Sequence, residues 1–283
     1  MKLGIMYANA GPLSHPEVGG ALARLAEEAG IESLWTVEHV VVPAGYESTY
    51  PYSADGRMPG GEDVDIADPL VWLAWVGART SRIRLATGIL ILPQRQPLVL
   101  AKEVATLDRL TGGRVTLGVG IGWLREEFDA LGVPFEERAG RTEEHIQALR
   151  AAWTQDEPTF EGRFVSFRGA KSYPKPAQPG GVPIVVGGHS EGAARRAGRF
   201  GDGFFPGSQG VEATAHLIDV MRKAAEEAGR DPDGIEITCG GRPDPATVER
   251  YAELGVSRFM VPPPGFDPAT LEEQLPRLVA ALG

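Results

Sequence analysis

Apolar residues in this chain come in short continuous runs, each followed by a stretch in which they recur every three or four positions. The first run, residues 3–8, predicts a buried strand. Ser14-His15-Pro16-Glu17 then has the form of a capping box with proline in the first turn. Val18, Leu22, Leu25, Ala26 and Ala29 would share one face of the helix it opens, and Gly30 stands where a left-handed residue ends such a helix. The same order returns with a strand over 33–37, a helix from Asp68-Pro69 to Ala78, a strand over 83–90 and a helix from Pro97 to Leu110. Further β-rich runs lie at 115–119, 184–186, 203–205, 235–238 and 259–261, and Asp-Pro helix starts recur at Asp244 and Asp267.

These runs are continuous rather than alternating, which predicts strands covered on both faces. Right-handed crossovers arrange eight such units most simply as a closed (β/α)8 TIM barrel, an α/β fold spanning residues 1–283 as one domain with loop insertions. An open doubly wound sheet is the alternative arrangement. Two segments interrupt the repeat: a Gly- and Pro-rich stretch at 43–65, and a strand-like excursion at 159–167 that precedes the Pro-rich 173–183. Such insertions in a compact barrel are lids or binding walls.

Charge narrows the possible partners. The chain carries 28 basic against 38 acidic residues, a net −10, with no run of Lys or Arg able to track a phosphate backbone, so no nucleic-acid partner is expected. Cys239 is the single cysteine, which excludes an internal disulfide framework and a Cys-rich zinc site and fits a reducing compartment. No signal-peptide pattern and no apolar stretch approaching ~18 residues is present, so a cytoplasmic protein without a membrane partner is expected.

A barrel of this kind places its chemistry after the carboxyl ends of its strands. Glu38 and His39 follow strand 2, a carboxylate and an imidazole suited to proton transfer or to bonding a heterocyclic cofactor; a capped strand end is the plain alternative. Thr87-Gly88-Ile89 leads to Gln94 and Arg95 after strand 3. After strand 4, Gly118-Val119-Gly120-Ile121-Gly122 departs from a dinucleotide fingerprint, because Trp123 stands where the third glycine belongs. Gly120 and Gly122 there would let a flat ring approach the backbone, with Trp123 as a wall or as core filling. After strand 5, Gly187-Gly188-His189-Ser190 before a helix makes an anion site, to which Arg195, Arg196 and Arg199 could add charge; a tight turn requiring glycine is the alternative. His15, His145 and His216 lie in or beside helices as structural residues, and no His-x-His or His-Glu-x-x-His spacing supports a metal. Cys239 reads as a small core residue.

Five motifs occur in order: Glu38-His39, Thr-Gly-Ile-Leu-Ile-Leu-Pro from Thr87, Leu-Gly-Val-Gly-Ile-Gly-Trp from Leu117, Val-Val-Gly-Gly-His-Ser from Val185 and Gly-Asp-Gly-Phe from Gly201. Together they resemble the bacterial luciferase-like superfamily over nearly the whole chain. The nearest likeness is to its branch that uses the deazaflavin coenzyme F420, in which Gly-Arg-Thr-Glu-Glu, as at Gly140, is also found. The resemblance implies a (deaza)flavin across the strand ends, a phosphate gripped by Gly187, Gly188, His189 and Ser190, and His39 near the ring or substrate. It also implies a bulge at Thr87-Gly88-Ile89 backing the ring, with a cis peptide between Gly88 and Ile89. Where some relatives place a glutamate as proton donor this chain has Trp123, so Glu126, Glu127, or Glu38 with His39 would have to substitute.

The expected function is an F420-dependent oxidoreductase moving a hydride to or from a small organic substrate. The alternatives are an FMN-dependent monooxygenase, a non-catalytic flavin-binding barrel, or a metal-independent lyase or isomerase on an unrelated barrel. Substrate contacts are expected from 43–65 and 173–183, where Tyr46, Tyr50 and Tyr52 would form an aromatic wall or pack the loop down. Trp72, Leu73 and Trp75 exceed what packing against a barrel alone requires, so a homodimer is expected.

Overall fold

A computed structural model describes residues 1–207, 210–241 and 244–282. Eight parallel strands form its centre: β1 Lys2–Ile5, β2 Ser33–Thr36, β3 Arg84–Thr87, β4 Val115–Gly120, β5 Ile184–Gly187, β6 Gly203–Phe205, β7 Glu236–Gly240 and β8 Arg258–Val261. Each pairs with its neighbours in chain order, and the ring closes where Lys2 to Ile5 register with Arg258 to Val261. The sheet therefore has no free edge, and the barrel rather than the open sheet is formed.

Outside the ring lie α1 Pro16–Ala29, α2 Pro69–Gly77, α3 Pro97–Leu110, α4 Arg125–Ala130, α5 Arg138–Thr154, α6 Glu191–Phe200, α7 Val211–Glu227, α8 Pro245–Glu253 and α9 Pro268–Leu282. The Asp-Pro starts act as expected. Asp68 accepts from the N–H groups of Leu70 and Val71, Asp244 from Thr247 and Asp267 from Thr270, while proline supplies the fixed φ of the first turn. Gly30 ends α1 at φ +85°, a left-handed cap. Leu22, Leu73, Leu100 and Leu149 pack the inward helix faces against the sheet, and each is fully buried or within 1% of it.

Inside the ring a second cluster joins Trp35, Ala86, Val185 and Met260. Below it, at the amino ends of the strands, Arg258 donates to Glu32 at 2.8 Å, to Glu236 at 2.9 Å and to Thr238 Oγ1 at 3.1 Å. Arg258 is buried there between its two part-exposed carboxylate partners, and a barrel of this kind carries its site at the opposite, carboxyl end of the strands.

Several expectations are corrected. The capping box at 14–17 does not form, because Ser14 Oγ donates to the Gly11 carbonyl within a 3-10 turn and His15 precedes α1 without a side-chain cap. Strand 1 stops at Ile5, and Tyr7 beyond it adopts φ +59°, a left-handed backbone that breaks the ladder. Strand 3 stops at Thr87; the Gly88–Ile89 peptide is cis, as anticipated, and Leu90–Ile91 then resumes pairing with β4. The excursion at 159–167 is a small hairpin of Phe160–Glu161 with Ser166–Phe167. Trp72 and Leu73 face the chain's own core, where Trp72 Nε1 donates to the Leu13 carbonyl at 3.1 Å, so these two give no argument for a dimer, whereas Trp75 is half-buried beneath the Arg79 guanidinium. No described helix is long and apolar enough to cross a membrane.

Candidate active site

The mouth is built from the ends of β1 to β5 and the 43–65 insertion. His39 follows β2, and its Nδ1 lies 3.0 Å from Oε2 of Glu127, a fully buried residue in the first turn of α4. The other Glu127 oxygen accepts from the backbone N–H of Val40 at 2.6 Å and of Val41 at 3.4 Å. His39 Nε2 makes no hydrogen bond among the described residues. The edge-on neighbour of the imidazole is Trp123, with centroids 5.6 Å apart.

Glu38 is not brought to this pair. One of its oxygens is taken by the Arg95 guanidinium and the other by the Ile91 N–H, and Arg95 also reaches Asp68 at 3.0 Å. Burial pushes the Glu38 carboxyl above its ordinary value, while Arg95 pulls it back. Burial also opposes the Arg95 charge, but Glu38 and Asp68 outweigh it and hold the guanidinium above its usual range. The carboxylate is thus committed to fixing the end of strand 3. Next to Arg95, the Gln94 side-chain amide is buried with no hydrogen-bond partner among the described residues.

Thr87 Oγ1 donates to the Gly118 carbonyl at 2.6 Å, and the Gly88 N–H to the Thr36 carbonyl at 2.6 Å. The Ile89 side chain then lies over Gly120 and Gly187. A Cβ on Gly120 would come within 2.7 Å of Ile89 Cδ1, and one on Gly187 within 2.5 Å of Cγ2. Gly120 therefore makes room for the Ile89 side chain. Gly122 has φ +79°, and a Cβ there would strike Phe128, so it serves a tight turn. Trp123 is a half-buried wall, edge-on to Tyr46 at 5.5 Å and Tyr50 at 5.2 Å. Tyr50 meets Tyr52 at 5.4 Å, and Tyr52 meets His189 at 5.1 Å. An aromatic belt thus crosses the mouth from β2 to β5. The tyrosines also pack the loop down: Tyr46 is buried and its hydroxyl accepts from the Met58 N–H.

At the end of β5, Gly188 has φ +134° and its N–H donates to the Phe205 carbonyl at 3.1 Å, so that N–H is not an anion donor. Ser190 caps α6, its Oγ accepting from Ala193 N–H at 3.2 Å. Arg195 pairs with Glu191, whereas Arg196 and Arg199 face Glu143; none of the three adds charge to the mouth.

The profile of the luciferase-like monooxygenase family matches residues 4–274. The chain belongs to this family. An uncharacterized protein of Mycobacterium tuberculosis is 34% identical over 263 residues, 93% of each chain. An F420-dependent glucose-6-phosphate dehydrogenase of Kineococcus radiotolerans is 35% identical over 220 residues, 75% of this chain and 59% of that enzyme. In three dimensions the chain resembles the coenzyme F420 dependent tetrahydromethanopterin reductase of Methanopyrus kandleri, with TM-score 0.79, 18% identity, and 99% and 98% of the two chains covered. That last likeness concerns the fold.

In this luciferase-like barrel the surroundings of the β5 end fit a phosphate-bearing cofactor. His189 Nδ1 is buried with no partner among the described residues. Gly192 in the first turn of α6 leaves open space, since a Cβ there would meet only Ser190 Oγ at 3.7 Å. Glu191 is turned away to Arg195 at 2.6 Å and His216 at 3.0 Å, so its charge does not oppose an anion. No group of three or more His, Cys, Asp or Glu that could hold a metal occurs among the described residues.

Two mouth residues were missed or left undecided by sequence. Tyr7 carried no signal, since it lay inside the run read as strand 1. Its phenol, like those of Tyr50 and Tyr52, is pushed above its ordinary value by desolvation, and all three are neutral hydrogen-bonding groups. Glu127 was one of three candidate glutamates, and only tertiary structure separates it from Glu126, which accepts instead from Glu47 and Ser48 N–H.

Proposed function

We propose that this luciferase-like barrel is an F420-dependent oxidoreductase acting on a small organic substrate. The observation that carries the reading is His39: one ring nitrogen is held by a buried carboxylate, and the other is unbonded beside the aromatic belt. The relatives named as F420-dependent support the choice of cofactor.

A bound deazaflavin would supply two-electron hydride chemistry. Ser190, His189 and the open first turn of α6 would hold its phosphate, and Ile89 would back its ring. Trp123, Tyr50 and Tyr52 would cover the substrate and exclude water. A hydride that leaves or reaches a substrate carbon is accompanied by a proton at a neighbouring atom. His39 Nε2 takes or returns that proton, which makes it the general acid–base residue. Glu38 belongs to the scaffold rather than to the proton path.

Titration of the purified protein with F420 and, separately, with FMN, followed by fluorescence, tests the assignment. Tighter binding of F420 is the expected result; preference for FMN would move the chemistry to oxygen, and binding of neither would reject the reading. His39→Ala should lower turnover by about 10²-fold or more with cofactor affinity changed less than about tenfold. Equal loss of both would make His39 a binding residue only.

A further inference from the structure

Glu127 is fully buried, and its salt-bridge partners among the described residues include no Lys or Arg. A carboxylate in such a place is costly unless N–H groups converge on it. Three do: the backbone N–H groups of Val40 and Val41, and Nδ1 of His39. An ionised carboxylate only accepts hydrogen bonds, so Nδ1 must carry the hydrogen in that contact. Nε2 is then left without one in the neutral ring. Leu124 and Phe128, also fully buried, flank Glu127 in sequence and pin the turn that carries it.

We infer that Glu127 is a positioning residue that fixes the His39 ring and selects the tautomer with hydrogen on Nδ1 and a proton-accepting Nε2. It touches no substrate in this scheme and acts only through the imidazole. Two main-chain bonds hold its own orientation, so the ring cannot rotate without breaking the Nδ1 contact. When Nε2 takes a proton, the resulting imidazolium lies against a buried carboxylate that has no other counter-ion among the described residues. The same logic makes carboxylate partners of catalytic and metal-bound histidines effective orienting groups. The aromatic belt adds a second restraint through Trp123, edge-on to the ring.

The consequence for turnover rests on the oxidoreductase reading, whereas the tautomer does not. The test is ¹⁵N NMR of histidine-labelled full-length protein, without cofactor, at a pH where the ring is neutral. In the native protein His39 should show a hydrogen-bearing Nδ1 and a bare Nε2. A hydrogen-bearing Nε2 would overturn the proposal without any variant being needed. In Glu127→Gln the carboxamide can donate as well as accept, so the Nε2–H form should gain population and turnover should fall about 10–100-fold with cofactor affinity unchanged. Glu126→Gln, which alters a neighbouring carboxylate that does not touch His39, should leave the tautomer as in the native protein. An unchanged tautomer in Glu127→Gln overturns the positioning role. A changed tautomer with unchanged turnover supports positioning and overturns instead the reading of His39 as the proton-transfer group.

Discussion

Replacing Arg95 with methionine should destabilise the protein far more than its partly exposed position suggests. The Arg95 side chain is 21% exposed, but the Glu38 carboxylate that it neutralises is 1% exposed. Without the guanidinium, Glu38 keeps only the Ile91 N–H and becomes a buried charge lacking a counter-ion. Breaking a buried pair in this way costs about 3–5 kcal/mol; solvent access at Arg95 moves the expectation to about 2–4 kcal/mol. Glu38→Gln removes the charge and retains the shape, at about 1–2 kcal/mol. The double variant should resemble Glu38→Gln, so that the coupling energy in a double-mutant cycle equals the Arg95→Met effect, about 2–4 kcal/mol. Urea unfolding followed by tryptophan fluorescence and circular dichroism measures all four proteins. The pH dependence has a fixed sign. Burial already raises the Glu38 carboxyl and Arg95 opposes that rise, so loss of Arg95 raises it further. A group with a raised folded value stabilises while protonated and loses that contribution as pH rises. The Arg95→Met deficit should therefore be largest at neutral pH and shrink on acidification. Additive single effects, with coupling below about 0.5 kcal/mol, would refute the view that Glu38 belongs to a buried structural pair.

Two further outcomes test the frame of the barrel, one near the mouth and one at its lower end. Gly118→Ala should cost more than about 3 kcal/mol or abolish soluble expression, because the new Cβ would lie 1.9 Å from the Thr87 carbonyl oxygen, a backbone atom unable to move aside. The Glu27 carboxylate accepts from the N–H groups of Ser81, Arg82 and Ile83; although burial opposes it, these bonds hold its carboxyl down at about 2. Its contribution is present above the ordinary carboxylate range and is lost as pH falls from about 4.5 towards 2. Glu27→Gln should accordingly flatten the acid limb of a thermal-stability profile in that window.

Much of the frame was legible because it is written locally. An Asp-Pro pair specifies its own helix start, since cap and first turn are neighbours, and Asp68, Asp244 and Asp267 all behaved so. At 14–17 the same local logic failed, because Gly11 and Pro12 had already drawn Ser14 into a tighter turn. The mouth was legible as a list of positions but not as a set of partners. Glu127 meets His39 across 88 residues and Arg95 meets Glu38 across 57, and such pairs exist only once the barrel has closed. Glycine was ambiguous for the same reason. Gly120 and Gly187 yield space to Ile89, while the space near Gly192 is open, and no feature of the single sequence distinguishes the two uses. Arg196 and Arg199 of α6 were misdirected because the acidic residue they face, Glu143, lies on a different helix, while Arg195 pairs with Glu191 on its own.

The two adjacent glutamates of α4 also bear on how this barrel can diversify. Glu127 holds the chain at Val40 and Val41, and Glu126 holds it at Glu47 and Ser48, in each case through backbone N–H groups. Every residue except proline carries that group. The loop over the mouth is therefore tethered in a manner indifferent to its side chains, leaving those free to change while the attachment points persist. A library randomising 49–64 without touching α4 would keep these tethers, and a proline at 47 or 48 would remove one.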